Sequence, residues 1–387
     1  MAKGDVFIAQ VERIAAGGAG VTHLEGKSIF VELTAPGDLV RCRIEKEHKN
    51  WAEGEILEIL EASPKRIAPA CLLYGRCGGC SLQHLNYKSQ VEAKTAILRD
   101  AFIRIGGINP PEIRVRESRP FEYRNRVQFH CFQEGGNAVK TGLGFKERRS
   151  NRLVEIEDCP VADDGIRKAL KEGKLLPPKK QRFTVYSRHN TFLSEGGEER
   201  GQISILGREL AMDVSVFFQS NAAMLEQLVE DLITAASAAD RSLPMADIYC
   251  GVGTFASFLG GEFASVDLVE ENKAALALAR ENVRGKKINY YALTDTAWAK
   301  MIKKNRGSAR WSLMVLDPPR EGLSGPLRES LVRNGPEHVT YVSCNPATQA
   351  RDSRLLLEGG YTLKELAMYD FYPQTAHIES LAVFSRR

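Results

Sequence analysis

The sequence predicts an α/β protein in three parts: a small β-barrel over residues 1–62, a mixed α+β segment over 63–210, and a parallel sheet covered by helices over 211–387. Two patterns carry that reading. Short apolar runs broken by glycine-rich turns fill the first sixty residues, and strand-like and helix-like stretches alternate from Met212 onward. The stretch between them follows neither pattern. With 387 residues, 43% hydrophobic and 26% charged, the chain has room for two or three domains and can bury a large core, which excludes a disordered or collagen-like chain. There is no uninterrupted apolar run of about 18 residues, and the start MAKGDVFIAQ lacks the apolar core of a signal peptide. A cytoplasmic protein without a membrane partner is expected.

In the barrel, residues 6–8, 28–31, 38–44 and 52–57 are strand candidates, and Ala35-Pro36-Gly37-Asp38 is a turn signal. Antiparallel pairing is expected. Such barrels commonly bind RNA, with packing alone as the competing reading. In the middle segment a helix is expected over residues 87–105. Val91, Leu98, Phe102 and Ile105 share one face, Lys and Arg take the other, and Gly106-Gly107 ends it. Residues 125–130 and 142–145 read as strands separated by a Gly135-Gly136 turn, and 171–181 as a polar, proline-containing loop. Between Pro64 and Ser150 there are sixteen Lys/Arg and seven Asp/Glu, a local +9 in a chain whose net charge is +4, leaving −5 elsewhere. That asymmetry suggests a polyanionic partner, although a solvated face is the common alternative.

From Met212 the strand candidates are 246–249, 264–269, 311–316 and 338–342, with a helix over 271–282 and two extended segments after Tyr361. Alternation of this kind favours a doubly wound parallel sheet. Asp247-Ile248-Tyr249-Cys250-Gly251-Val252-Gly253-Thr254-Phe255 puts two glycines between a strand and a helix, where a backbone can approach a ligand closely. Glu270 follows the second strand, twenty-three residues after Asp247, where a carboxylate can accept from both ribose hydroxyls. The third glycine of the dinucleotide fingerprint is missing, so S-adenosylmethionine suits the loop better than NAD. A generic strand-to-helix turn with a surface Glu is the bland reading.

Three further runs fall at the same edge of the sheet. Asp317-Pro318-Pro319-Arg320 follows one strand and Ser343-Cys344-Asn345-Pro346-Ala347-Thr348 the next. Cys344 there suits a nucleophile, against the ordinary reading of a lone cysteine as a small buried apolar group. Glu379 begins the last extended segment and suits a base, against a strand-edge carboxylate.

Together FFQSN (217–221), DIYCGVGTF, DPPR, SCNPAT and FYPQTAHIES resemble, in order and spacing, the RNA uracil-C5 methyltransferases, over essentially the whole chain. The resemblance implies a Rossmann-like, S-adenosylmethionine-dependent methyltransferase domain. It assigns cofactor contacts to Gln219, Tyr249, Glu270 and Asp317, the nucleophile to Cys344 and the proton acceptor to Glu379. The chemistry fits the residue types. C5 of uracil attacks a methyl sulfonium only after a thiolate has added to C6, and a base must then remove the C5 proton. The target base must also leave its stack, which favours an unpaired uridine.

Cys71, Cys77 and Cys80, with Gly78-Gly79 between the last two, have the character of a metal site, with Cys159 as the best fourth thiolate. Family members acting on ribosomal RNA carry a [4Fe-4S] cluster on this pattern, and zinc is the physical alternative. Cys42, Cys131 and Cys250 read as packing residues and His84 as a local hydrogen bonder. Phe121-Glu122-Tyr123-Arg124-Asn125-Arg126 could stack on and grip RNA, or pack in a strand. The N-terminal segment resembles a TRAM barrel, OB-like in kind, and with the cysteines points to the 23S rRNA branch, acting as a monomer. A tRNA enzyme is the nearest alternative. A noncatalytic RNA-binding factor and an iron–sulfur redox protein are the readings of other classes, and intact Cys344 and Glu379 speak against the first.

Overall fold

The computed structural model describes residues 2–134, 140–175, 181–304 and 310–386, so the expected Gly135-Gly136 turn and the centre of the expected 171–181 loop lie outside it. The first strands are β1 (Val6–Gln10), β2 (Arg13–Ile14), β3 (Gly20–Leu24), β4 (Lys27–Val31), β5 (Leu39–Glu47) and β6 (Trp51–Glu61). They form one sheet in the order β1-β5-β6-β4-β3-β2, around Phe7, Val11, Ile29, Val31, Val40, Cys42, Ile44 and Ala52. Pairing is antiparallel except between β4 and β6, which run parallel because β5 returns the chain before β6 adds beside β4. Cys42 packs in this core, as expected.

Helix α1 (Tyr87–Ala101) starts at Asn86, whose side chain accepts from the Ser89 N–H at 2.9 Å, and runs into a π turn over Phe102–Gly106. Val91, Leu98 and Phe102 are buried as the spacing predicts, but Ile105 is 47% exposed. The wider π turn breaks the 3.6-residue period and carries it off the buried face. Lys94, three residues beyond Val91, is fully buried there instead, contrary to the expected cationic outer face.

Strand β7 (Ile113–Arg116) leads to β8 (Arg126–Glu134), β9 (Lys140–Lys146), β10 (Leu153–Glu155), α2 (Asp164–Lys171), β11 (Arg182–Arg188) and β12 (Thr191–Ser194). The last five strands make an antiparallel sheet in the order β10-β9-β8-β11-β12, packed by Val127, Phe129, Ile166, Phe183 and Val185. A hairpin of β13 (Arg200–Ile205) and β14 (Arg208–Asp213) and helix α3 (Ala222–Ala236) follow.

The remaining strands are β15 (Met245–Ile248), β16 (Val266–Val269), β17 (Ile288–Tyr291), β18 (Leu313–Leu316), β19 (His338–Ser343), β20 (Tyr361–Tyr369) and β21 (Glu379–Arg386). Helices α4 (Thr254–Leu259), α5 (Lys273–Asn282), α6 (Asp295–Lys304), α7 (Gly325–Asn334) and α8 (Pro346–Glu358) lie between them. The sheet runs β17-β16-β15-β18-β19-β21-β20-β7, parallel from β17 to β19 and antiparallel at β21. Alternate residues serve its two faces. Leu313 and Val315 pack toward α3–α5, while Met314 and Leu316 pack toward α1 and α6–α8. The chain crosses the expected boundary at residue 210, since α1 packs on this sheet and β7 forms its edge, parallel to β20. Strand order reverses between β15 and β18, and a crevice opens there at the strands' carboxyl ends.

Five cations of the basic middle segment pair with carboxylates outside it. Arg66 pairs with Asp38, Arg148 and Arg149 with Glu32, and Arg114 and Arg116 with Asp231. These pairs reach carboxylates in the barrel and in α3, so part of the local +9 joins segments and is not free for an external anion.

Candidate active site

A cavity of about 810 Å³ occupies the crevice. Gln219, Tyr249, Glu270, Asp317, Cys344 and Glu379 all line it, so the structure brings together every residue the sequence assigned to cofactor and catalysis.

The turn after β15 needs its unusual backbone. Tyr249 has φ +66°, Gly251 +54° and Gly253 +79°, and a Cβ on Gly253 would sit 2.6 Å from Val283 Cγ2. Only glycine fits there. The Glu270 carboxylate accepts from the Gly251 N–H at 3.0 Å with one oxygen and from the Asn272 N–H at 2.8 Å with the other. It is therefore fixed against the loop at the cavity wall. Tyr249 donates its hydroxyl to Asp295 at 2.6 Å, and Asp295 also accepts from the Ser324 N–H at 3.0 Å. Beneath the loop, Asp247 is fully buried and accepts from the Ala256 N–H at 3.1 Å, and burial pushes its carboxyl up to about 8.

The catalytic candidates meet through sheet register. Strand β21 runs antiparallel to β19 with Ser343 opposite Ser380. The next residue at that end of each strand is Cys344 on one side and Glu379 on the other. Ser380 reinforces the junction by donating to Gln349 Oε1 at 2.7 Å. Glu379 is 3% exposed, and burial together with the Asp317 charge raises its carboxyl well above the ordinary range. Asp317, partly open to the cavity but otherwise enclosed, is raised by burial as well. Cys344 is pushed up to about 11 by burial and by the Glu379 and Asp317 charges, with Arg320 opposing. The thiol is therefore held neutral until a positive charge or a proton acceptor reaches it.

The cavity also takes in Arg124, which the sequence offered as an RNA contact, and Asp295, Tyr372 and His377, to which it gave no role. Asp295 follows β17 at the same sheet edge as Glu270 follows β16, which is the signal that could have found it. The other three depend on contacts between distant segments. Arg124 lies 6.0 Å over the Tyr372 ring, and His377 meets that ring edge-on at 5.8 Å. Tyr123, by contrast, is 4% exposed and donates to the Pro373 carbonyl at 2.9 Å, so it is a packing residue.

Of the loop that carries Cys77 and Cys80, Gly79 reaches the cavity wall. The Cys80 thiol feels the charges of Cys159, Cys77 and Cys71, and burial raises it to about 12. Arg124 and Arg148 act on Cys77, and the Gly79 N–H donates to its sulfur at 3.4 Å. Among the described residues no three Cys, His, Asp or Glu side chains stand close enough together to hold a single metal ion. His84 is a hydrogen bonder, as expected, linking the Tyr74 hydroxyl to the Thr34 carbonyl.

A doubly wound sheet in this order, with a glycine turn after its first strand and a carboxylate after its second, is a Rossmann-like nucleotide-binding fold, the class to which S-adenosylmethionine-dependent methyltransferases belong. Residues 200–387 match the family model tRNA (uracil-5-)-methyltransferase, and residues 2–57 match the TRAM domain. An uncharacterized RNA methyltransferase of Treponema denticola is 33% identical over 98% of this chain and 99% of its own length. The 23S rRNA (uracil(1939)-C(5))-methyltransferase RlmD of Aeromonas hydrophila is 32% identical over 95% of this chain and 93% of its own. A tRNA (uracil-54, C5)-methyltransferase of Pyrococcus abyssi, solved with S-adenosyl-L-homocysteine, shares the fold with TM-score 0.72 and 24% identity, covering 98% of this chain and 100% of its own. The chain belongs to the RNA (uracil-5-)-methyltransferase family and carries a TRAM domain.

Proposed function

We propose that this protein methylates C5 of a uridine in 23S rRNA, with S-adenosylmethionine as donor, through covalent addition of Cys344 to C6. The observation that carries the reading is the meeting of Cys344 and Glu379 across β19 and β21, on the cavity that Glu270 and the glycine turn also line. The donor supplies an electrophilic methyl group and a positive charge. Glu270, with both oxygens already oriented by backbone N–H groups, accepts the ribose hydroxyls; Gln219, Tyr249 and Asp317 make the other donor contacts. Cys344 adds to C6, C5 takes the methyl group, Glu379 accepts the C5 proton, and the C6–S bond then breaks. A positive charge in the cavity favours ionisation of the Cys344 thiol and of the Glu379 carboxyl, both of which burial pushes up, so donor binding primes nucleophile and base together.

Ribosomal RNA is favoured over tRNA by the RlmD relatives, the TRAM domain and the four cysteines. For those cysteines we propose a [4Fe-4S] cluster held by Cys71, Cys77, Cys80 and Cys159. Four cysteines are a donor set that a [4Fe-4S] cluster and a zinc ion both accept, and the family resemblance favours the cluster. Its role would be to brace the loop that abuts the cavity. Iron and acid-labile sulfide assays on anaerobically purified protein test it, and stoichiometric zinc without sulfide refutes it.

The methylation reading is tested with RNA carrying 5-fluorouridine at the target, which should trap a covalent adduct because fluorine cannot leave as a proton. Cys344→Ala should abolish trapping, and Glu379→Gln should accumulate methylated adduct on ordinary RNA. Mapping 5-methyluridine in a deletion strain decides the substrate: loss from tRNA alone overturns the rRNA assignment.

A further inference from the structure

The proposed addition creates a negative charge that neither Cys344, Asp317 nor Glu379 can receive. When sulfur bonds to C6, the C5=C6 electron pair shifts to C4–C5 and the carbonyl pair moves onto O4. The same enolate returns when Glu379 takes the C5 proton, just before the C6–S bond breaks. Asp317 and Glu379 are carboxyl groups, and in their ionised forms they would oppose a negative O4. A hydrogen-bond donor on the cavity wall is required.

His377 lines the cavity two residues before Glu379. Its Nδ1 lies 3.3 Å from Arg320 Nη2. A guanidinium has donors only, so Nδ1 is the acceptor and the neutral ring carries its proton on Nε2. The ring is exposed toward the cavity. Desolvation by the neighbouring protein and the charges of Arg320, Arg124 and Lys94 hold its pKa down at about 4, which leaves it neutral near pH 7. Its place is also determined: its backbone N–H donates to Thr375 Oγ1 at 3.2 Å, that hydroxyl donates to the Tyr372 carbonyl at 2.8 Å, and the Tyr372 ring meets the imidazole edge-on. A neutral imidazole donates a hydrogen bond without surrendering its proton, which suits an oxygen that is negative only transiently.

Resting on the reading of Cys344 as nucleophile, we propose that the Nε2–H of His377 donates to uracil O4 and stabilises the enolate in both the addition and the elimination. No proton changes hands: the S–C6 bond forms, O4 gains an electron pair, and the histidine keeps its hydrogen. Arg320 acts as a positioning residue by fixing the tautomer.

The test is single-turnover adduct formation by the full-length protein, with S-adenosylmethionine and a 5-fluorouridine transcript of the 23S rRNA segment that the wild type methylates. His377→Phe and His377→Ala should slow adduct formation by about 10²–10³-fold, the cost of losing one oxyanion donor. Transcript affinity by filter binding should stay within about twofold. His377→Gln, which restores an N–H donor, should recover at least tenfold of the loss. Wild-type rates in His377→Phe, or equal slowing in His377→Phe and His377→Gln, overturn the assignment. Absence of any adduct with the wild type overturns the covalent reading itself, and this assignment with it.

Discussion

Replacing Lys94 with methionine should be among the most damaging single changes outside the cavity. The Lys94 ammonium and the Asp370 carboxylate are both 0% exposed and 2.6 Å apart, and Lys94 also donates to the Tyr372 carbonyl at 2.9 Å. The gross attraction at 2.6 Å is about 6 kcal/mol at an effective dielectric of about 20. Desolvation of both groups offsets much of it, and burial indeed pulls the lysine's pKa down against the pull of Asp370. Losing one partner, however, strands the other, and that typically costs about 3–5 kcal/mol. Among the described residues the second oxygen of Asp370 has no hydrogen-bond partner, so it does not offset the loss. Urea unfolding followed by the fluorescence of Trp298 and Trp311, which lie by the same sheet, measures the loss. The double variant Lys94→Met/Asp370→Leu should regain at least half of it, because an apolar pair of similar volume removes the stranded charge. A loss below about 1 kcal/mol, or a double variant no better than Lys94→Met, would show that the pair is not the buried brace argued for here.

Other consequences are independent of that pair. Because burial and the neighbouring carboxyl groups raise Cys344 to about 11, its alkylation by iodoacetamide in the donor-free protein should rise about tenfold per pH unit from 7 to 10, and a plateau below pH 9 contradicts this. Gly253→Ala combines a left-handed φ with a 2.6 Å clash, so a loss of about 2–4 kcal/mol and weakened donor binding by calorimetry are expected, whereas unchanged donor affinity refutes the close-approach argument. Asp38 is buried, which acts to raise its pKa, but hydrogen bonds from Arg66, Ser63 and Ala35 outweigh this and leave it below the usual carboxylate value. Its contribution to stability is therefore present above the unfolded pKa and lost as pH falls through the folded one, so Asp38→Asn should lower stability at neutral pH and flatten its acid decline. An equally steep acid limb in the variant rejects that assignment.

What was legible in the sequence was whatever depends on neighbours in the chain. The strand-to-helix turn at 247–255, the carboxylate at Glu270 and the strand exits at Asp317 and Cys344 each announce themselves within ten residues, and a doubly wound sheet necessarily gathers strand exits at one edge. What remained hidden depends on partners far apart in sequence. The π turn that moves Ile105 outward has no signature in apolar spacing, and Lys94 reads as a surface cation until Asp370 is seen beside it. The +9 of the middle segment likewise looks free until Asp38, Glu32 and Asp231 come into view.

The same long-range contacts explain why the barrel, the cysteine loop and α1 belong to one catalytic unit. The stretch from Asp370 to Ile378 carries Tyr372 and His377 and delivers Glu379, yet it has no regular structure of its own, and Gln374 sits at φ +68°. Each flanking segment holds it. From α1, Gln90 exchanges hydrogen bonds with Gln374 at 2.8 and 3.0 Å, and Lys94 grips Asp370 and Tyr372. From the cysteine loop, the Ser81 and Leu82 N–H groups both donate to the Gln374 carbonyl, and Ser81 Oγ accepts from the Ala376 N–H at 2.9 Å. In the barrel, Gly18 packs so closely that a Cβ would lie 3.1 Å from Ala376 Cβ. A left-handed conformation at a non-glycine residue such as Gln374 persists only where its surroundings over-determine it, and three segments remote in sequence do so here. Loosening any of them should act on the proposed base Glu379 and on the His377 imidazole before it acts on the proposed donor pocket, whose glycine turn and Glu270 are held within the sheet's own neighbouring strands. Changes at Ser81 or Gln90 should accordingly lower the rate of methyl transfer while leaving donor affinity intact, and a matching loss of donor affinity would mean that the two halves of the site are not separately supported.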